Sequence, residues 1–227
     1  MKKIVFLSGA GISAESGIST FRDSGGLWEN YDIQEVASIE GWYRNPELMI
    51  QFYNERREQL STVSPNKAHQ IIAKLENRFD ITVITQNVDN LHERAGSSNI
   101  IHLHGELTKV CAEDKSCVTD IGYRAMKYGE KAPNGQLLRP FIVWFGEDVP
   151  KFDDAIEVMK TADIVVIIGT SLKVYPAAGL YDYAPNQALI YLIDPNEVTS
   201  ISKKIEVIKE KAGAGMELLS NKLSLIY

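Results

Sequence analysis

Lys3–Ser8 reads KIVFLS and runs straight into Gly9-Ala10-Gly11-Ile12-Ser13-Ala14, and this junction decides the fold. A continuous apolar run of this kind suits a strand buried on both faces of a parallel sheet. The G-x-G-x-x-A turn that follows lets the backbone reverse tightly and approach a pyrophosphate, whose charge the next helix N-terminus favours. A ligand-free glycine-rich turn has the same pattern, so the match alone leaves both readings open. A hydride-transfer enzyme would place an acid at the end of a second strand, about 20 residues on. Here the stretch is Ser16–Trp28, SGISTFRDSGGLW, with no strand character. It reads as a Gly- and Ser-rich loop able to fold over a ligand, in which Asp23 could be a simple capping acid.

Working outward, similar apolar runs recur at Ile81–Thr85, Phe141–Trp144, Asp163–Ile168 and Leu189–Ile193. Helical patterns lie between them, at Pro46–Leu60, Phe152–Thr161 and Met216–Leu223. Ser64-Pro65 reads as an N-cap and first helical residue, opening a helix to about Glu76. The alternation predicts an α/β fold, a Rossmann-like doubly wound parallel sheet, in one catalytic domain over 1–227. Two stretches break the alternation: a largely helical insertion over about 24–78 and a polar, turn-rich one over about 108–138. Both are read as a smaller module beside the sheet.

The 227 residues are 44% hydrophobic and 24% charged, ordinary globular usage, and the net charge of −6 argues against nucleic-acid binding. No apolar stretch approaches a membrane span of roughly 18 residues. The apolar run in MKKIVFLSG is too short for a signal sequence, and Cys111 and Cys117 are too few for a disulfide framework, so a cytoplasmic location is expected.

Ligands in open α/β sheets sit beyond the carboxyl ends of the strands. Those ends carry Gln86-Asn87-Val88-Asp89, His104-Gly105-Glu106, Phe145-Gly146-Glu147 and Gly169-Thr170-Ser171. Each could be loop chemistry alone; together they supply the amides, carboxylate, imidazole and Gly-Ser turns of a nucleotide site with an acid–base residue. His104 is the natural base, since an unperturbed imidazole titrates at about 6.5. Alternation in IIHLHG puts His102 on the same face, so periodicity does not separate the two. His69 and His92 have helical or loop contexts with little functional signal.

Taken together, GAGISAESGISTFRDSGGLW, TQNVDNLHERAG, HLHGEL, RPFIVWFGE and GTSLKVYPAAG, in this order, resemble the sirtuins, the NAD-dependent protein deacylases. The resemblance covers nearly the whole chain. It implies that NAD and an acylated lysine meet between a large Rossmann-like domain and a small module. Gly9, Ala10, Gly11, Ser13, Phe21, Arg22 and Trp28 would cradle NAD, with Gln86, Asn87 and Asp89 around the nicotinamide and its ribose. Gly169, Thr170 and Ser171 would hold the cofactor, which is consumed rather than recycled. His104 would be the general base, with Asn87 beside it as a catalytic residue. Val143, Phe145, Gly146 and Glu147 would pair with the substrate peptide as an added strand.

Tyr53 and Arg56 share a helix face and match the Y-x-x-R pair of the sirtuin subgroup that prefers succinyl- and malonyl-lysine; acetyl-lysine stays open as a substrate. Arg57 is expected to point elsewhere, as a surface charge. Most relatives bind a structural zinc through two Cys pairs. Cys111 and Cys117 are one pair at most, so no zinc is expected, with polar and aromatic contacts from residues such as Tyr123 and Tyr128 holding the module instead. Near the adenosine, Leu192 stands where relatives often have Asn, Asp194 could accept a hydrogen bond or cap the turn at Pro195, and Ala212 aligns weakly. The competing functions are ADP-ribosyl transfer or NAD hydrolysis on the same fold, a non-catalytic NAD-binding module, and a dehydrogenase.

Overall fold

The computed structural model describes residues 1–18, 31–196 and 205–226. Phe21, Arg22 and Trp28 lie outside these residues.

In chain order the strands are β1 (Lys3–Ser8), β2 (Asp80–Thr85), β3 (Ile100–His102), β4 (Gly105–Ala112), β5 (Thr119–Asp120), β6 (Leu138–Ile142), β7 (Ile164–Ile168), β8 (Leu189–Ile193) and β9 (Glu206–Ile208). The helices are α1 (Gly11–Ala14), α2 (Ile33–Val36), α3 (Ile39–Arg44), α4 (Pro46–Thr62), α5 (Lys67–Leu75), α6 (Leu91–Ala95), α7 (Phe152–Met159) and α8 (Ala212–Ile226), with a 3₁₀ segment over Ala177–Tyr183. Six strands form a parallel sheet in the order β3-β2-β1-β7-β8-β9. The two-residue period of a strand divides its side chains between the two faces. Ile4 and Phe6 of β1 pack with α5 and α8, whereas Val5 and Leu7 pack with α7 and the 3₁₀ segment. Both faces are covered, which is why the strands are apolar throughout.

The order reverses at β1: the chain adds β2 and β3 on one side, then returns to add β7, β8 and β9 on the other. The crevice for a ligand opens at such a switch point. Here the turns after β1 and β7 lie directly on each other. A side chain on Gly9 or Gly11 would come within 2.8 Å of the turn at Gly169, and one on Gly169, whose φ is +62°, would meet the Ile12 nitrogen at 2.2 Å. The Gly11 N–H donates to the Gly169 carbonyl at 2.8 Å. The glycines are therefore demanded by turn-on-turn packing, which the G-x-G pattern alone does not reveal.

A second sheet, β5-β4-β6, is antiparallel. The FIVW run predicted for the parallel sheet belongs here instead: its strand is Leu138–Ile142, and it takes an edge position because Pro140 has no N–H to give a central ladder. Gly105, with φ +83°, redirects the chain from β3 into this sheet immediately after His104. α3, α4, β4 and β6 share a core of Trp42, Phe52, Tyr53, Leu107, Ile142 and Trp144. α5, although inside the helical insertion, covers the main sheet through Ala68, Ile72 and Leu75.

Two helix starts shift from the sequence reading. α5 starts at Lys67 rather than Pro65, because Asn66 accepts from the Ala68 N–H while His69 Nδ1 accepts from the Asn66 N–H. That reciprocal cap displaces Ser64. α8 begins four residues early, at Ala212, where Glu15 accepts from the Gly213 N–H at 2.7 Å. No described helix is long and apolar enough to cross a membrane.

Candidate active site

The segment after β2 is built by side chains returning to backbone. Thr85 Oγ1 accepts from the Asn87 N–H at 3.0 Å and turns the chain at Gln86. Asn87 Nδ2 then donates to the Gly9 carbonyl and to Ser13 Oγ, both at 3.2 Å, and Ser13 Oγ donates to Asp89 at 2.9 Å. Gln86 Nε2 donates to Thr170 Oγ1 at 3.2 Å, tying this loop to the turn after β7. Gly9, Gly11, Ser13, Gln86, Asn87, Asp89, Gly169 and Thr170 are thus brought together at the switch point. α1 is only four residues long, so little dipole stands behind the glycine turn. Burial pushes the Asp89 carboxyl above its ordinary pKa, against the opposing pull of the Leu91 N–H and the Ser13 hydroxyl.

The two histidines of IIHLHG separate here. His104 Nδ1 lies 2.9 Å from the Gln86 carbonyl. A carbonyl only accepts, so Nδ1 carries the proton and Nε2 is the basic nitrogen. Among the described residues Nε2 has no partner, and burial lowers the pKa of the ring. His102 instead faces acceptors on both sides, the Asn87 carbonyl at 3.1 Å and Glu93 at 2.6 Å. Burial opposes its charge, but the hydrogen bond and charge of Glu93 outweigh that and raise its pKa. His104 is thus disposed toward the neutral form with Nε2 as its basic nitrogen, and His102 toward the charged form beside Glu93. His69 and His92 are buried, edge to face with ring centroids 4.9 Å apart.

On α4, Tyr53 is buried and its hydroxyl oxygen accepts from Trp144 Nε1 at 2.9 Å, leaving the phenolic proton to donate elsewhere. The Arg56 guanidinium lies 5.7 Å from the Tyr53 ring centroid and close enough to Asp89 to feel its charge. Desolvation lowers the Arg56 pKa, and Tyr53 and Asp89 oppose that shift. Arg57 is not the surface charge its position suggested. It is fully buried, donating from Nε to the Leu107 carbonyl at 2.7 Å and from Nη1 to Asn54. Asn54 in turn bonds the backbone of Met126. Arg57 therefore anchors α4 to the small sheet, a role no periodicity argument exposes.

The segment after β6 is partly committed. The Phe145 N–H donates to Ala37 and its carbonyl accepts from Ile39, while the Val143 N–H donates to His104. The Val143 carbonyl and the Gly146 N–H bond nothing among the described residues, so an added strand would have to use these. The Glu147 side chain is engaged with Arg139 in a two-point pair at 2.8 Å, and Arg139 stacks on Trp144, 3.6 Å from its ring centroid. These contacts hold the small module. Tyr123 adds one polar contact, its hydroxyl accepting from Asn90 Nδ2 at 3.3 Å, whereas Tyr128 is 49% exposed. Cys111 is buried in β4, where desolvation pushes its thiol up to about 11, and Cys117 is a second free thiol.

The adenosine-side residues are less available than expected. The Leu192 side chain is buried in the core of β8, and Asp194 accepts from the Asn196 N–H at 2.9 Å, capping its turn. Ala212 is buried at the start of α8. Residues 9–176 match the model of the Sir2 family. The chain belongs to the Sir2 family. Among its sirtuin relatives is an NAD-dependent protein deacylase of Bacteroides thetaiotaomicron, 55% identical over 98% of both chains. Another, from Helicobacter pylori, is 52% identical over 98% of this chain and 96% of the relative. Among solved structures, a Sir2 homologue variant in complex with ADP-ribose superposes with a TM-score of 0.91 at 38% identity, over 99% of this chain and 93% of that one. A Sir2 homologue–NAD complex gives 0.89 at 38% identity, over 99% and 90%. The residues whose structural roles the sequence reading missed are Thr85, Trp144, Glu93 and Glu15. Only Thr85 had a sequence signal, a hydroxyl two residues before a polar turn.

Proposed function

We propose that this NAD-dependent protein deacylase prefers lysines carrying succinyl or malonyl groups over acetyl-lysine. The observation that carries the reading is the half-buried Arg56 on α4, its guanidinium 5.7 Å from the Tyr53 ring centroid and within the field of the Asp89 carboxylate at the NAD side of the site. The glycine turns, which admit no Cβ, and the Gln86–Asn87–Asp89 amides and carboxylate suit the phosphates, ribose and carboxamide of NAD. When bound, NAD supplies the leaving nicotinamide and the ADP-ribose that accepts the acyl group.

The chain's own residues then divide the work. Asp89 and its Ser13–Asn87 network hold the carboxamide and orient the bond to be broken. His104 Nε2 would take the proton of a ribose hydroxyl as that oxygen attacks the acyl carbon, with the Gln86 carbonyl steadying the protonated ring. Arg56 meets the distal carboxylate of the acyl group, and Tyr53 donates its phenolic proton to it. The Val143 carbonyl and Gly146 N–H pair with the peptide backbone. One water is consumed, and the products are nicotinamide, O-acyl-ADP-ribose and free lysine.

The test is mass spectrometry of matched succinyl-, malonyl- and acetyl-lysine peptides incubated with enzyme and NAD. A higher kcat/KM for the dicarboxylic acyl groups is expected; a preference for acetyl-lysine refutes the pocket assignment. We further propose that the module needs no zinc at its cysteines, because Cys111 is a buried protonated thiol and Arg139–Glu147 closes the sheet. Replacing both cysteines by serine should leave the thermal midpoint within about 3 °C, the effect of less than ~1 kcal/mol. A stoichiometric zinc ion present in the wild type and lost from the double cysteine variant would count against it.

A further inference from the structure

Glu93 on α6, His102 at the end of β3 and Glu106 on β4 each bring one ligand atom to within 4.8 Å of the others. We propose that these three side chains bind one first-row divalent cation, of which zinc(II) is the probe, clamping the small sheet to the edge of the main sheet.

Three features of the cluster support a metal site. First, the three residues come from three elements, α6, the edge strand β3 and the antiparallel β4, so an ion here would add a tie between the two sheets beside the Leu91–Leu107 packing. Second, His102 is oriented from outside the cluster. Its Nδ1–H donates to the Asn87 carbonyl at 3.1 Å, which sets the ring and turns Nε2 toward the carboxylates. A backbone carbonyl on the far nitrogen is how proteins fix a ligating imidazole. Third, access is one-sided. The His102 side chain is 8% exposed but that of Glu93 is 39% exposed, so an ion could enter over Glu93 and keep water on its open side.

The chemistry balances simply. The ion takes the place of the proton shared by His102 Nε2 and Glu93, and that proton leaves to solvent. Lys109, now 2.8 Å from Glu106, is displaced; its side chain is 31% exposed and can turn to water. One imidazole and two carboxylates suit zinc, manganese or iron(II) better than calcium or magnesium, which favour oxygen alone. The site is separate from the cysteines. Cys111 lies five residues beyond Glu106 on β4, about 17 Å along a strand.

The experiment is calorimetric titration of zinc chloride into the full chain after EDTA treatment and desalting. One ion per chain is expected. His102→Gln and Glu106→Gln should each weaken it at least tenfold, Lys109→Met should tighten it severalfold, and the Cys111→Ser/Cys117→Ser double variant should bind as the wild type does. If His102→Gln fails to fold, Glu106→Gln and Lys109→Met, on partly exposed side chains, carry the test. Cobalt(II) loading should give ligand-field absorption without a thiolate-to-cobalt charge-transfer band. Absence of saturable binding, unchanged affinity in Glu106→Gln, weaker binding in Lys109→Met, or loss in the cysteine variant overturns the proposal.

Discussion

Replacing Arg56 by Met keeps much of the side chain's length and removes its charge, and the effect on succinyl-lysine can be worked out from the site. Arg56 is half-buried against the Phe52 and Tyr53 rings, each with its centroid 5.7 Å from the guanidinium carbon. Met fills that space, so the helix should keep its place. A hydrogen bond to a charged group contributes about 1.5–3 kcal/mol, or roughly 10- to 150-fold in kcat/KM at about 1.4 kcal/mol per decade. The upper end is expected, because the acyl carboxylate would be left beside buried Tyr53 and the Asp89 carboxylate without a cation. Acetyl-lysine has no carboxylate to lose, so its kcat/KM should change by less than about threefold. The assay is nicotinamide release and peptide mass on matched succinyl and acetyl peptides. An equal fall on both would show that Arg56 supports the fold or NAD rather than the acyl group.

Glu147→Gln leaves Arg139, whose side chain is 3% exposed, without its carboxylate partner. Breaking such a buried pair costs about 3–5 kcal/mol, readable as a lower urea midpoint with an unchanged slope; a shift below ~1 kcal/mol would mean the small sheet is held elsewhere. Gly169→Ala must fit a Cβ 2.2 Å from the Ile12 nitrogen at φ +62°, and a loss of about 2 kcal/mol or more in urea stability is expected. Wild-type stability would contradict the turn-on-turn packing. Burial lowers the His69 pKa from 6.5 to about 4, so the unfolded chain binds the proton first. Its contribution is full above pH 6.5 and is lost as pH falls toward 4, on the order of 3 kcal/mol. His69→Gln should flatten that part of the stability–pH curve, and an unchanged slope would remove His69 from the account.

Neighbours with the same sequence signature part ways in the folded chain. His102 and His104 lie two apart where alternation would put them on one face, yet β3 ends at His102, whose pKa is raised, while His104 sits in the following turn with its pKa lowered. The difference comes from Glu93, brought in by a separate helix, and no window of sequence contains both contacts in register. Arg56 and Arg57 divide in the same manner. Helical spacing puts Arg56 beside Tyr53, but only the arrival of β4 gives Arg57 a carbonyl to bond and hides it from water.

What the chain's own letters determined is the local chemistry: buried strands from runs such as DIVVII, a tight turn from Gly9 and Gly11, a helix from Pro46 onward, and polar groups at strand ends. Each follows from propensity, period or the lack of a Cβ, which act over a few residues. What the tertiary structure alone decided is which partner each polar group meets. Strand Leu138–Ile142 paired antiparallel with β4 instead of joining the parallel sheet, and Glu15 accepts from the first turn of α8 from 198 residues away. Those outcomes depend on the free energy of bringing distant groups out of water together, a quantity that exists only once the chain has closed on itself.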